Sequence, residues 1–171
     1  MKQIKLNCLT ERHLVLFGAI IQWFARYESL MQEIMATLMG ADSGSVMILT
    51  RGLDFSEKRQ ALFDLLRHRN IPLDRYDEIN KFLKVPHTSN PSRNDIAHFG
   101  WVTAPSSGWI QPDWVLRLPA SVKPLHGCGF VEQEEDKITY SLDEFVEIVE
   151  TLAANYNDFL EYLHEIDLIL K

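Results

Sequence analysis

Cysteine is scarce. Cys8 and Cys128 are the only two in 171 residues, and with no CxxC pair the chain offers neither a disulfide framework nor a thiolate zinc site. Long hydrophobic runs are missing as well: no stretch approaches the roughly 18 consecutive apolar residues of a membrane-spanning helix. The amino-terminal MKQIKLNCLTER has neither the apolar core nor the cleavage site of a signal peptide, so a cytoplasmic protein with no membrane partner is expected. Positive charge is short too, with 17 Lys and Arg against 24 Asp and Glu and a net charge of −7. That balance lacks the broad basic footprint of a protein that grips duplex DNA. Three familiar catalytic signatures are absent: a G-x-x-x-x-G-K-[ST] phosphate loop, a G-x-S-x-G elbow and an H-E-x-x-H zinc helix. His126 and Cys128 lie two apart, but no second ligand pair accompanies them, and a glycine-flanked loop accounts for them better than a metal. No cofactor is implied.

What the chain does have is apolar material: 46% of its residues are hydrophobic, enough for one sizeable core. No repeat, low-complexity tract or linker divides it, so residues 1–171 read as a single domain. Its charge is uneven. Net charge is 0 over residues 1–50, +3 over 51–94, 0 over 95–131 and −10 over 132–171. The acidic last segment reads as a solvated face, and the one basic stretch ends at Arg93.

Apolar residues at Leu14, Phe17, Ile21, Phe24, Met31, Met35 and Leu38 are three and four apart and predict a long helix, capped by Thr10 and stopped by Gly40. Glu28 interrupts that stripe. A carboxylate in an apolar seam requires a cation, and Lys58 or Arg93 are the candidates. A second helical region over residues 45–68 breaks near Gly52, with Ser56 as cap and Leu62, Leu65 and Leu66 as its inner side. Pro72 opens a third helix that buries Tyr76, Ile79, Phe82 and Leu83. Asn90 and Pro91 predict a fourth, short helix ending at Gly100. Between residues 103 and 140, Pro and Gly recur among short alternating runs (WVLRL, GFV, KITY), which predicts a small antiparallel β insertion. Ser141 and Glu144 then form a capping box for a last long helix carrying Leu142, Phe145, Val149, Leu152, Tyr156, Phe159, Leu163 and Ile166. The fold class is mainly α: an antiparallel helical bundle with a small β insertion. His13, His68 and His164 fall on helices and read as partly exposed structural histidines.

The segment Arg93-Asn94-Asp95-Ile96-Ala97-His98 stands apart, because it gathers a fixed cation, an amide and a titratable imidazole on one short helix. Five residues turn a helix by about 140°, so Arg93 and His98 leave in flanking directions, while Asn94 shares the face of His98. At a helix amino terminus, partial positive charge adds to the arginine. Such a set suits a phosphodiester: Arg93 holds the non-bridging oxygens and stabilises transition-state charge, and His98 transfers protons.

The pattern resembles the ribonuclease members of the HEPN superfamily (higher eukaryotes and prokaryotes nucleotide-binding), in which Arg, a polar residue and then His follow with four to six residues between Arg and His. Arg93, Asn94 and His98 match, within RNDIAHFGW. The stretches FARYESLMQEI and ILTRGLDFSEKRQALFDLL resemble bacterial members, and the β insertion is a departure. The resemblance implies a metal-independent endoribonuclease in which the ribose 2′-hydroxyl attacks its own phosphate to leave a 2′,3′-cyclic end. It further implies RNA as the partner, Arg93, Asn94 and His98 as catalytic residues, and Glu28 and Lys58 as supporting ones. A homodimer joining two motifs is the family's common form, toxin and phage-defence roles are typical, and an antitoxin or regulatory protein is a possible partner. The alternative is a non-catalytic helical dimer acting as an RNA-binding or protein-interaction module.

Overall fold

A computed structural model describes residues 9–98, 100–103, 109–112 and 139–168. Cys8, His126, Cys128, the acidic run from Glu132 to Asp136 and the expected strands WVLRL and GFV lie outside the described residues. Five helices account for most of the described chain: α1 (Glu11–Met39), α2 (Ser43–Thr50), α3 (Phe55–His68), α4 (Leu73–His98) and α5 (Leu142–Glu165). Two short strands, β1 (Trp101–Thr103) and β2 (Ile110–Pro112), pair antiparallel between α4 and α5. The β region thus begins at Trp101. Of the expected strand KITY, Tyr140 forms an isolated antiparallel bridge to Ile110.

Helix ends follow local chemistry. Thr10 caps α1 as expected, and Gly40 ends it in the left-handed conformation (φ 66°), with the Ala41 N–H reaching back to the Ala36 carbonyl. Asn70 (φ 53°) and Asp167 (φ 54°) take the same conformation after α3 and α5, where Ile71 and Leu168 donate to the carbonyls of Leu66 and Leu163. Asp54, not Ser56, caps α3: its carboxylate accepts from the Glu57 N–H at 2.8 Å while Glu57 accepts from the Asp54 N–H at 2.8 Å. The reciprocal pair satisfies two orphan donors where Ser56 would satisfy one. Ser141 and Glu144 form the expected capping box of α5.

The third and fourth expected helices are one. α4 runs unbroken through Pro86 and Pro91. A proline leaves the carbonyl four residues earlier without its helical donor. For Pro86 that carbonyl belongs to Phe82, and it accepts from Asn155 Nδ2 of α5 at 2.9 Å.

Consecutive helices run antiparallel. α1 and α5 therefore lie parallel, with Phe17 against Phe145 at one level and Tyr27 against Tyr156 at another. α4 runs the opposite way and packs against both, its middle stacked on α5 through Phe82 and Phe159 and its end tied to the start of α5. The core is continuous, formed by Phe24, Tyr27, Leu30, Met31, Leu62, Leu66, Ile79, Leu83, Phe145, Leu152 and Phe159, among others. Phe17, Phe24, Met31, Met35 and Leu38 of the expected stripe are buried, but the inward face of α1 extends to His13, Ile20, Tyr27, Leu30 and Ile34, whereas Leu14 and Ile21 are exposed. His13 is accordingly a buried residue rather than a partly exposed one.

Candidate active site

The motif lies at one end of the bundle. α4 arrives there with its last turns, α1 and α5 begin there, and Trp101 turns back into the core beside Phe17, Tyr140 and Phe145. Arg93 is half-buried, and its Nη1 donates to Asn94 Oδ1 at 3.0 Å. Among the described residues no carboxylate pairs with this guanidinium, and its buried Nε has no partner. The cation is thus held by a neutral amide, and no described carboxylate forms an ion pair with it. With its oxygen turned to Arg93, Asn94 retains its N–H groups as donors. His98 is the exposed last residue of α4.

One expectation is overturned by the merged helix. Arg93 and His98 occupy the carboxyl end of α4, not the amino end of a short helix, so the backbone presents carbonyls there and adds no positive charge. Any anion held at this end depends on side chains, above all on Arg93.

Beneath the motif is a polar cluster that the sequence reading did not single out. Asp95 is 3% exposed. It accepts a hydrogen bond from Tyr140 Oη at 3.0 Å, and Ser92 Oγ lies 3.4 Å from the same hydroxyl. Burial, reinforced by the charge of Asp95 and opposed by the hydrogen bond with Ser92, pushes the Tyr140 phenol up to about 12. Its one signal in the sequence was an acidic residue embedded in the motif itself.

Glu28 and Lys58 are brought together, but elsewhere. They form an ion pair between α1 and α3, in which Lys58 is the more deeply buried partner and the Glu28 side chain is 22% exposed. The Asn155 amide, which donates to both Tyr27 Oη and the Phe82 carbonyl, sets Phe82 level with the Glu28 neighbourhood. Arg93 lies eleven residues farther along α4, about 16 Å of helix rise away. Lys58, not Arg93, is the partner of Glu28, and the pair braces α1 against α3 without touching the motif.

A groove of about 400 Å³ lies along α5, lined by Asn157, Leu160, Glu161, His164 and Glu165. It is far from Arg93, because α5 runs away from the motif. Among the described residues no group of three or more His, Cys, Asp or Glu gathers as a metal site, and no helix is long and apolar enough to cross a membrane. No protein-family model, curated protein or solved structure matches this chain.

Proposed function

We propose that the chain is a metal-independent endoribonuclease of the HEPN type, with Arg93, Asn94 and His98 as its catalytic residues. The observation that carries this reading is the Arg93 guanidinium, half-buried near the end of α4, bonded to an amide and, among the described residues, without a carboxylate partner. The surroundings support it. Lys81 is paired with Glu78, but beyond it, from Phe82 to His98, the one carboxylate of α4 is the buried Asp95, so Lys84, His87 and His98 stand on a stretch of that helix with no exposed acidic side chain in a chain of net charge −7. A phosphate backbone can lie there without the repulsion it meets on the acidic α5.

In this mechanism Arg93 and the Asn94 amide grip the non-bridging oxygens of the scissile phosphate. An imidazole takes the proton of the ribose 2′-hydroxyl, whose oxygen forms the new bond to phosphorus, and the 5′-oxygen of the next nucleotide leaves with a proton from an acid. The products are a 2′,3′-cyclic phosphate and a 5′-hydroxyl. A single protomer offers one motif histidine for two proton transfers, which favours a homodimer in which a second His98 supplies the other. The test is cleavage of a single-stranded RNA in EDTA. His98→Ala is expected to lower the rate by about 10² to 10⁴ and Arg93→Ala by a comparable factor, with folding intact by circular dichroism. Wild-type cleavage by folded His98→Ala protein would overturn the assignment.

A second reading has its own observation. Met47, Ile48 and Leu49 of α2 are more than half exposed, and an apolar surface of that kind suits a protein-interaction module.

A further inference from the structure

We propose that Tyr140 is a positioning residue for the motif, acting through Asp95 to hold the last turns of α4 in the geometry that Arg93 and His98 require; the inference rests on the endoribonuclease reading above.

The end of α4 is intrinsically loose. Pro86 and Pro91 remove two backbone donors from its last four turns, and the helix stops at His98, the residue whose placement matters most. A helix end with so few internal bonds frays unless something outside it supplies a tie. Tyr140 is that tie. Its hydroxyl reaches Asp95 Oδ2 at 3.0 Å and stands 3.4 Å from Ser92 Oγ. Ser92 and Asp95 are three apart and share a face, and they bracket Arg93 and Asn94 in the chain. One face of the turn is gripped while the motif side chains leave from the others.

The grip is effective because Tyr140 is itself fixed at several points. Its ring stacks on Phe145 with centroids 5.0 Å apart and planes 24° apart, and packs against Trp101 at 5.7 Å. Its backbone exchanges two hydrogen bonds with Ile110, at 3.0 and 2.7 Å. Ser141, the next residue, caps α5. The hydroxyl is therefore a rigid point on the α5 side of the bundle, and its hydrogen bond is one of the contacts that hold the buried carboxylate of Asp95. Placement of reacting groups is sensitive to such ties, because a misplacement of about 1 Å is worth up to about 10²-fold in rate.

The experiment compares wild type with Tyr140→Phe, which keeps the ring stack and deletes only the hydroxyl. Two readouts are taken: steady-state RNA cleavage, and amide hydrogen exchange resolved along α4. The expected result is a kcat lowered about ten- to a hundredfold with KM little changed, together with exchange accelerated at least about tenfold over residues 93–98 and unaltered in the middle of α1 and α5. Asp95→Asn, which keeps an acceptor for the Tyr140 hydroxyl, is expected to retain the exchange protection and most of the cleavage rate. Wild-type kcat and wild-type exchange in Tyr140→Phe would overturn the proposal. So would an Asp95→Asn protein that loses cleavage while residues 93–98 stay protected, because the carboxylate's charge rather than the tie would then be the operative feature. If the wild type cuts no RNA, the nuclease reading falls, and the exchange arm still decides whether Tyr140 holds the end of α4.

Discussion

His13 stands at the third position of α1, where a capping box ordinarily has glutamate or glutamine. Its Nδ1 accepts from the Thr10 N–H at 3.1 Å and lies 2.8 Å from the Thr10 hydroxyl, a role open only to the neutral ring with its proton on Nε2. Burial lowers its pKa below the ordinary value of 6.5. A base whose folded pKa is depressed binds fewer protons in the folded state than in the unfolded one. Its contribution is therefore complete above about pH 6.5 and is lost as the pH falls through the folded pKa. Urea unfolding of the wild type is expected to show stability declining between pH 7 and pH 5 more steeply than in His13→Gln, which keeps the acceptor and does not titrate. Equal slopes for the two proteins would remove His13 from the acid response. The same residue lies at one edge of the buried face of α1, most of which was legible in the spacing of Phe17, Phe24, Met31, Met35 and Leu38. Tyr27 turns inward with its hydroxyl donating to the distant Leu152 carbonyl at 3.0 Å, and His13 turns inward with Nδ1 bonded at Thr10 and Nε2 buried without a hydrogen-bond partner. A three-and-four spacing that starts from Leu14 takes in Leu14 and Ile21, which are exposed, and passes over Ile20, Leu30 and Ile34, which are buried. Glu28 then falls at the margin of the true inward face, which is why it is only partly buried and why Lys58 reaches it.

At the scale of elements, caps were the most legible feature and proline the least. Thr10, Gly40, Ser141 and Glu144 act through neighbours within five residues, so their spacing alone identifies them. The continuity of α4 depends instead on Asn155, 73 residues from the carbonyl it serves, and no local pattern encodes such a donor. That dependence is measurable. Asn155→Ala leaves the Phe82 carbonyl without a donor and removes the 2.7 Å bond to Tyr27 Oη, and should cost about 1–3 kcal/mol in urea unfolding. In a Pro86→Ala background the new N–H of residue 86 can serve Phe82 from within the helix. Asn155→Ala should then cost less by about 0.5–1.5 kcal/mol, a coupling that a double-mutant cycle reads directly. Strictly additive effects would show that Pro86 and Asn155 are not compensating one another. The motif residues were legible as a set, but the direction of the helix end on which they stand was not, because Pro91 reads as an opening when the helix around it is in fact sustained.

At the scale of the whole molecule, the proposed mechanism requires two motifs to meet, and the exposed apolar surfaces make that requirement testable. Leu14, Val15 and Ile21 lie on the outer side of α1 at the motif end, since Phe17 between them packs on Trp101. Met47, Ile48 and Leu49 lie on α2, which returns beside the far half of α1, where Thr50 meets Gln32. The two surfaces are separated by roughly 25 Å along α1 at 1.5 Å per residue. A twofold contact through the first brings two copies of Arg93 and His98 toward one cleft, because a symmetric interface places like elements on either side of its axis. A contact through α2 leaves the motifs at opposite ends of the assembly. If the proposed mechanism with two histidines holds, Val15→Glu should yield a monomer by sedimentation at micromolar concentration and abolish cleavage. Ile48→Glu should leave both association and cleavage intact, because a charge on α2 meets nothing in that assembly. The reverse pattern, in which Ile48→Glu separates the protomers and a Val15→Glu dimer still cuts RNA, would exclude a shared cleft and require each motif to complete both proton transfers alone.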